Sequence, residues 1–164
     1  MAKLIFIAAD HAGFTLKQTL IPFLQEHNYS VEDCGAFSLE KDDDYPDFIR
    51  VAAKKLSETT LSGNTDARAI VIGGSGQGEA IVANRFKGVR CALFYGSAPH
   101  EQQDAQGEML DMIASTRVHN DANALSLGAR FLSDAEAKDA VMRWLTSDFR
   151  GAERHVRRIQ KIDD

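Results

Sequence analysis

Short apolar runs alternate along this chain with stretches whose apolar residues recur at helical spacing. Leu4–Ala8 is continuously apolar and is soon followed by the polar pair Asp10-His11, the pattern of a strand buried on both faces. From Thr15 to His27, Leu16, Leu20, Phe23 and Leu24 mark one face of a helix, which Pro22 is expected to disturb. Tyr29–Asp33 reads as a second short strand. An acidic loop, Glu40 to Asp44, closes at Tyr45-Pro46, and Asp47 to Ser57 returns to helical period. Ala69–Gly73 predicts a third strand that runs into a glycine-rich turn and a helix through Asn84. Val89–Phe94 and Ala124–Leu127 predict the fourth and fifth strands. Between Tyr95 and His119 lies a long acidic connection that looks helical up to Ser115. Two helices close the chain, Ser133–Thr146 with Ser133 as its N-cap, and Gly151–Lys161.

Strands alternating with helices predict crossover connections and a parallel sheet covered on both faces. The expected architecture is a single three-layer α/β/α domain with a five-stranded parallel sheet, of Rossmann or flavodoxin-like type. A length of 164 residues gives room for one such domain and no more. In sheets of this kind, ligands bind beyond the carboxyl ends of the strands, so the chemistry is sought just after each strand.

Composition narrows the search. Apolar residues make up 44% and charged residues 26%, which excludes disorder. The net charge of −5 argues against nucleic acid and anionic membrane as partners, so an anionic ligand must be held by local donors. The apolar start is too short for a signal peptide or a membrane span. Cys34 and Cys91 sit in apolar surroundings and read as free buried thiols. The expectation is a soluble, cytoplasmic protein.

Three segments follow strands and carry reactive groups, Asp10-His11 after the first, Gly73–Glu79 after the third and Gly128-Ala129-Arg130 after the fifth. The most informative is Gly73-Gly74-Ser75-Gly76-Gln77-Gly78-Glu79. Its glycines free backbone N–H groups to face an anion, and the helix that follows adds its positive end. It lacks the Gly-Lys-Ser/Thr ending of a P-loop, and Glu79 stands where a dinucleotide fingerprint has its third glycine. A carboxylate beside an oxyanion cradle suits abstraction of a proton next to a carbonyl. The alternative is a capping turn with Glu79 as a first-turn acid. Because the helix end lowers the pKa of Glu79, a useful base needs burial to offset it. Asp10-His11 reads either as a helix cap or as part of a site. Arg154 and Arg158, four apart, form either a solvated basic face or a phosphate clamp. Metal ligation finds no spaced His or Cys pattern, and Asp42-Asp43-Asp44 reads as a solvated loop. No cofactor is called for.

Taken together, these segments resemble the ribose-5-phosphate isomerase B family, which includes the galactose-6-phosphate isomerase subunits. The resemblance runs over nearly the whole chain. It rests on Ala9-Asp10-His11-Ala12-Gly13-Phe14 with Leu16-Lys17, on Asp33-Cys34-Gly35 and on Asp44-Tyr45-Pro46. It continues in Gly73–Glu79, Ala83-Asn84, Gly88-Val89-Arg90, His119-Asn120-Asp121-Ala122-Asn123, and Arg154-His155 with Arg158. One branch of that family uses a cysteine two residues before a threonine as base. Gly73 and Ser75 hold those places here, so that route is closed, and the sequence is similar to the branch with a glutamate base.

The resemblance implies that Glu79 moves a proton between C1 and C2 of a sugar phosphate. Ser75 and the amides of Gly74, Gly76 and Gly78 would stabilise the enediolate, and Asp10 or His119 would open the ring. His11, Arg130, Arg154 and Arg158 would bind phosphate, with Tyr45 and Asn120 on the sugar. It further implies a homodimer or dimer of dimers with sites shared between subunits. Ribose 5-phosphate is the expected substrate. A tetrose or hexose phosphate is the alternative, because the connection at 96–118 is longer than the family commonly uses. A non-catalytic phosphate-binding module and, more weakly, a nucleotide-dependent oxidoreductase are the rivals from other classes.

Overall fold

In the computed structural model, which describes residues 2–100, 103–104, 106–109 and 111–164, five strands are hydrogen-bonded into one parallel sheet. They are β1 (Leu4–Ala9), β2 (Ser30–Asp33), β3 (Arg68–Gly73), β4 (Cys91–Phe94) and β5 (Ala124–Gly128), in the order β2-β1-β3-β5-β4. The helices between and after them are α1 (Phe14–Glu26), α2 (Tyr45–Leu61), α3 (Gln77–Ala83), α4 (Met112–Asn120), α5 (Asp134–Thr146) and α6 (Glu153–Ile159).

Successive strand residues point to opposite faces, and that alternation builds two cores. Ile5, Ile7, Ile70, Ile72, Leu125 and Leu127 face one way, onto Leu16, Leu20 and Leu24 of α1 and Ala137, Val141 and Trp144 of α5. Phe6, Ala8, Ala69 and Val71 face the other way, onto Ile49, Ala52 and Leu56 of α2 and Ala83 of α3. Each fully buried aliphatic side chain contributes about 1.5–3 kcal/mol of transfer free energy, which is why the central strands carry no polar alternation. The three-layer architecture expected from the sequence is the one observed.

Element boundaries follow local chemistry. Ser133 caps α5 in a reciprocal box with Glu136, as the sequence predicts. Pro46 sits in the first turn of α2, where its missing N–H costs nothing, and α2 starts earlier and ends later than the apolar period indicates. Two expectations are corrected. Pro22 does not break α1, which runs through it; the lost backbone bond is outweighed by Leu20 and Leu24, both fully buried on either side. The helix in the long connection starts only at Met112 and runs past Ser115 to Asn120, because Asp111 caps it by accepting from the N–H groups of Ile113 and Ala114. His119 and Asn120 therefore end a helix instead of leading into a strand. Part of that connection lies outside the described residues.

Among the described residues, no helix is long and apolar enough to cross a membrane. Cys34 and Cys91 are both free; Cys34 is buried and Cys91 half-buried, and burial pushes the Cys34 thiol up to about 11.

Candidate active site

β1 leads to β2 on one side of itself, and the chain then crosses to β3 on its other side. The carboxyl ends of β1 and β3 therefore flank the point where the winding reverses, the usual ligand crevice of an open parallel sheet. Asp10 follows β1, Gly74 follows β3, and Arg130 follows β5 next to it. These three ends, with the first turn of α3 and the start of α2, line a cleft of about 230 Å³. Its walls are Asp10, His11, Ala12, Tyr45, Gly74, Ser75, Gly78, Glu79 and Arg130. Pockets for drug-sized ligands run to about 300–1,000 Å³, so this cleft is on the small side and matches a small metabolite.

Backbone hydrogen bonds set the walls. Ala129 and Arg130 donate to the carbonyls of Gly73 and Gly74, at 2.8 and 3.0 Å, which ties the glycine turn to β5 and delivers Arg130 to the cleft. Asp10 Oδ1 accepts from the N–H groups of Ala12 and Gly13, at 2.9 and 3.1 Å, so one oxygen braces the turn into α1. Gly76 caps α3 with φ of +74°, a conformation that glycine adopts without strain. Ser75 Oγ accepts from the N–H of Gln77 at 3.3 Å.

Glu79 is the centre of the arrangement. It is only 4% exposed, and a Cβ added at Gly73 would stand 1.9 Å from its Oε1. The carboxylate therefore occupies the space that any side chain at position 73 would need. Burial raises the pKa of Glu79; its own backbone N–H pulls the other way, and the neighbouring Asp10 charge raises it further. The offset that a helix-start base requires is thus present. A carboxylate removed from water, in a cleft also lined by glycine backbone, His11 and Arg130, can accept a proton from a ligand seated there.

His11 is the pivot of the cationic side. Its ring Nδ1 lies 2.6 Å from Asp43 Oδ1 and 3.8 Å from Asp10 Oδ2. Its pKa is raised, first by the hydrogen bond to Asp43 and then by the Asp10 and Asp43 charges, against burial and Arg130. Asp10, His11 and Asp43 bring one ring nitrogen and two carboxylate oxygens within 4.8 Å of one another, and the ring-to-carboxylate hydrogen bond is among these contacts.

The other expected site residues lie elsewhere in the chain. His119 and Arg154 line a second cleft with Asp104, Gln106, Glu108, Arg150 and His155. There the His119 and His155 rings stack at 4.7 Å, and Arg154 Nε donates to His155 Nε2 at 3.2 Å. Asn120 lines a third cavity with Arg90 and Cys91, and Arg158 is exposed one turn further along α6. The structure thus joins Asp10, His11, Tyr45, Ser75, Glu79 and Arg130, and separates them from His119, Asn120, Arg154 and Arg158. Asp43, read in the sequence as part of a solvated loop, joins the first group. The one signal that could have placed it there is its position two residues before Tyr45.

Fold and cleft together define a doubly wound α/β protein with a buried carboxylate, a histidine and an arginine lining one cleft at its switch point. The chain matches the family described as Ribose/Galactose Isomerase over residues 5–162, and it belongs to that family. It is similar to the ribose-5-phosphate isomerase B of Mycolicibacterium paratuberculosis, with 38% identity over 155 residues, covering 94% of this chain and 86% of the relative. Its fold is similar to the crystal structure of ribose-5-phosphate isomerase B from Mycoplasma genitalium with bound ribulose-5-phosphate. That match has a TM-score of 0.83 and 35% identity, over 99% of this chain and 95% of the other. The Thermotoga maritima ribose 5-phosphate isomerase gives a TM-score of 0.78 at 37% identity, covering 99% of each chain.

Proposed function

We propose that this chain interconverts ribose 5-phosphate and ribulose 5-phosphate by proton transfer, with Glu79 as the base. The observation that carries the reading is the buried Glu79 carboxylate, held in the space over Gly73 and opposite His11 and Arg130 in one small cleft. The relatives' names and the sugar phosphate in the Mycoplasma genitalium structure support the choice of substrate.

In the open-chain aldose, Glu79 takes the proton from C2, and the electron pair moves onto the carbonyl oxygen at C1. The resulting enediolate is stabilised by the Ser75 hydroxyl and the amides of the glycine turn. A proton passes from O2 to O1, and Glu79 returns its own proton to C1, which leaves the ketose. His11 and Arg130 hold the phosphate, and Tyr45 contacts the sugar. Asp10 is the ring-opening group that the protomer's own cleft contains.

The remaining family positions fit a second protomer. His119, Asn120, Arg154 and Arg158 lie apart from Glu79 in one chain, and a homodimer in which one protomer's second cleft faces its partner's first would bring His119 and Arg154 to Glu79, with Arg158 on the same helix as Arg154. In that arrangement His119 is the ring-opening group a partner supplies, and Arg154 and Arg158 close on the phosphate.

The test is steady-state isomerisation of ribose 5-phosphate, with erythrose 4-phosphate and galactose 6-phosphate in parallel. The native chain is expected to favour the five-carbon substrate. Glu79→Gln should lower kcat by about 10²–10⁴-fold while changing KM little. Retention of kcat by that variant would remove Glu79 from the role.

A further inference from the structure

Asp43 belongs to an acidic run, yet its side chain is only 7% exposed. Its Oδ1 accepts twice from one residue, from the backbone N–H of His11 at 3.0 Å and from the ring at 2.6 Å. Its Oδ2 is buried without a hydrogen-bond partner among the described residues. A carboxylate taken out of water in this way is costly unless a positive charge lies against it, and the imidazolium of His11 is the charge in contact with it.

The double contact has a geometric consequence. The backbone bond fixes where His11 starts, and the ring bond fixes how its imidazole is turned. With the Nδ1 hydrogen directed to Asp43, the donor left for a ligand is Nε2–H, and His11 lines the same cleft as Arg130. The charged groups facing the ring are Asp43, Asp10 and Arg130, two carboxylates against one guanidinium.

We propose that Asp43 is a positioning residue for the substrate's phosphate, orienting His11 and holding it cationic so that Nε2–H pairs with Arg130 on the dianion. The inference rests on the isomerase reading and deepens it by naming a residue that never touches the substrate. Its pH signature has a definite sign. A histidine whose pKa is raised keeps its charge as pH climbs past the ordinary histidine value and loses it higher up. Phosphate binding should therefore persist into mildly alkaline solution in the native chain.

The experiment compares the native chain with Asp43→Asn, which keeps the shape and an acceptor oxygen but removes the charge. His11 is titrated by NMR without substrate, and KM and kcat for ribose 5-phosphate are followed against pH. In the variant His11 should lose its proton at lower pH than in the native chain. KM should rise about tenfold at alkaline pH with kcat nearly unchanged, the size expected for one charge-assisted contact, and the gap should close in acid. In a chain already carrying His11→Gln, adding Asp43→Asn should cost nothing further in KM. An unmoved His11 titration, a KM loss equal at every pH, or additive losses in the double variant would each overturn the inference. Should the variant fail to fold, the native chain decides alone: a His11 that titrates at or below the ordinary value overturns it. A chain with no isomerase activity would sink the functional reading, while the His11 titration would still judge Asp43.

Discussion

At the scale of single residues, the site depends on a vacancy. Gly73 lacks the side chain that would collide with Glu79, so the Glu79 carboxylate can lie where it does only with glycine at 73. Gly73→Ala should therefore displace the carboxylate without unfolding β3, whose backbone is extended there. Activity is expected to fall about 100-fold, the usual consequence of an ångström-scale misplacement, with a cooperative thermal transition retained. Near-native activity in Gly73→Ala would show that the carboxylate works from another position. That Glu79, Ser75, Asp10 and His11 meet in one cleft was legible in the sequence because each lies just beyond the carboxyl end of β1 or β3. Asp43 was not, since burial of one acid in an acidic run depends on which neighbour folds over it, and spacing does not encode that.

At the scale of elements, buried charge pins the helices to the sheet. Lys17 on α1 is fully buried and donates to both oxygens of Asp33 at the end of β2, at 2.6 and 2.7 Å, and to the Ala36 carbonyl. Asp33→Ala would leave that ammonium with a single carbonyl, and breaking a buried pair from one side costs about 3–5 kcal/mol. Urea denaturation should show a loss of that order; a change below about 1 kcal/mol would mean the pair behaves like an exposed one. The end of α4 is fixed in a comparable way. Arg90 donates to the carbonyls of Asn120 and Asp121, and Arg117 pairs with Asp121, which adopts the left-handed conformation. The central strands β1, β3 and β5 were readable from their largely apolar runs. The placement of α4 was not, because its start is set by the Asp111 cap, and the acidic stretch before it mimics a helical period. Pro22 misled for the opposite reason: a local penalty was overridden by core packing around it.

At the scale of the whole molecule, the sheet order brings Glu79, His11 and Arg130 to one switch point and leaves four family positions elsewhere on the chain. Spacing along the chain reveals that these residues occur together, but not that they fall into separate clefts, since that depends on the three-dimensional path of α4 and α6. If two protomers share each site, mixing two disabled chains should revive activity. Glu79→Gln and His119→Ala, each nearly inactive alone, should give about a quarter of native activity after co-refolding, because half the dimers are mixed and each holds one intact site. Absence of recovery, with mixed dimers demonstrated by native mass spectrometry, would mean that each protomer works alone.

The proton itself gives the most direct reading of Glu79. Incubating ribose 5-phosphate with the native chain in D2O should place deuterium at C2 of the aldose and C1 of the ketose, because the carboxyl exchanges its proton with solvent between removal and return. Glu79→Gln should leave both positions protiated over the same period while the variant still binds inorganic phosphate. Deuterium entering at the native rate in Glu79→Gln would contradict the account.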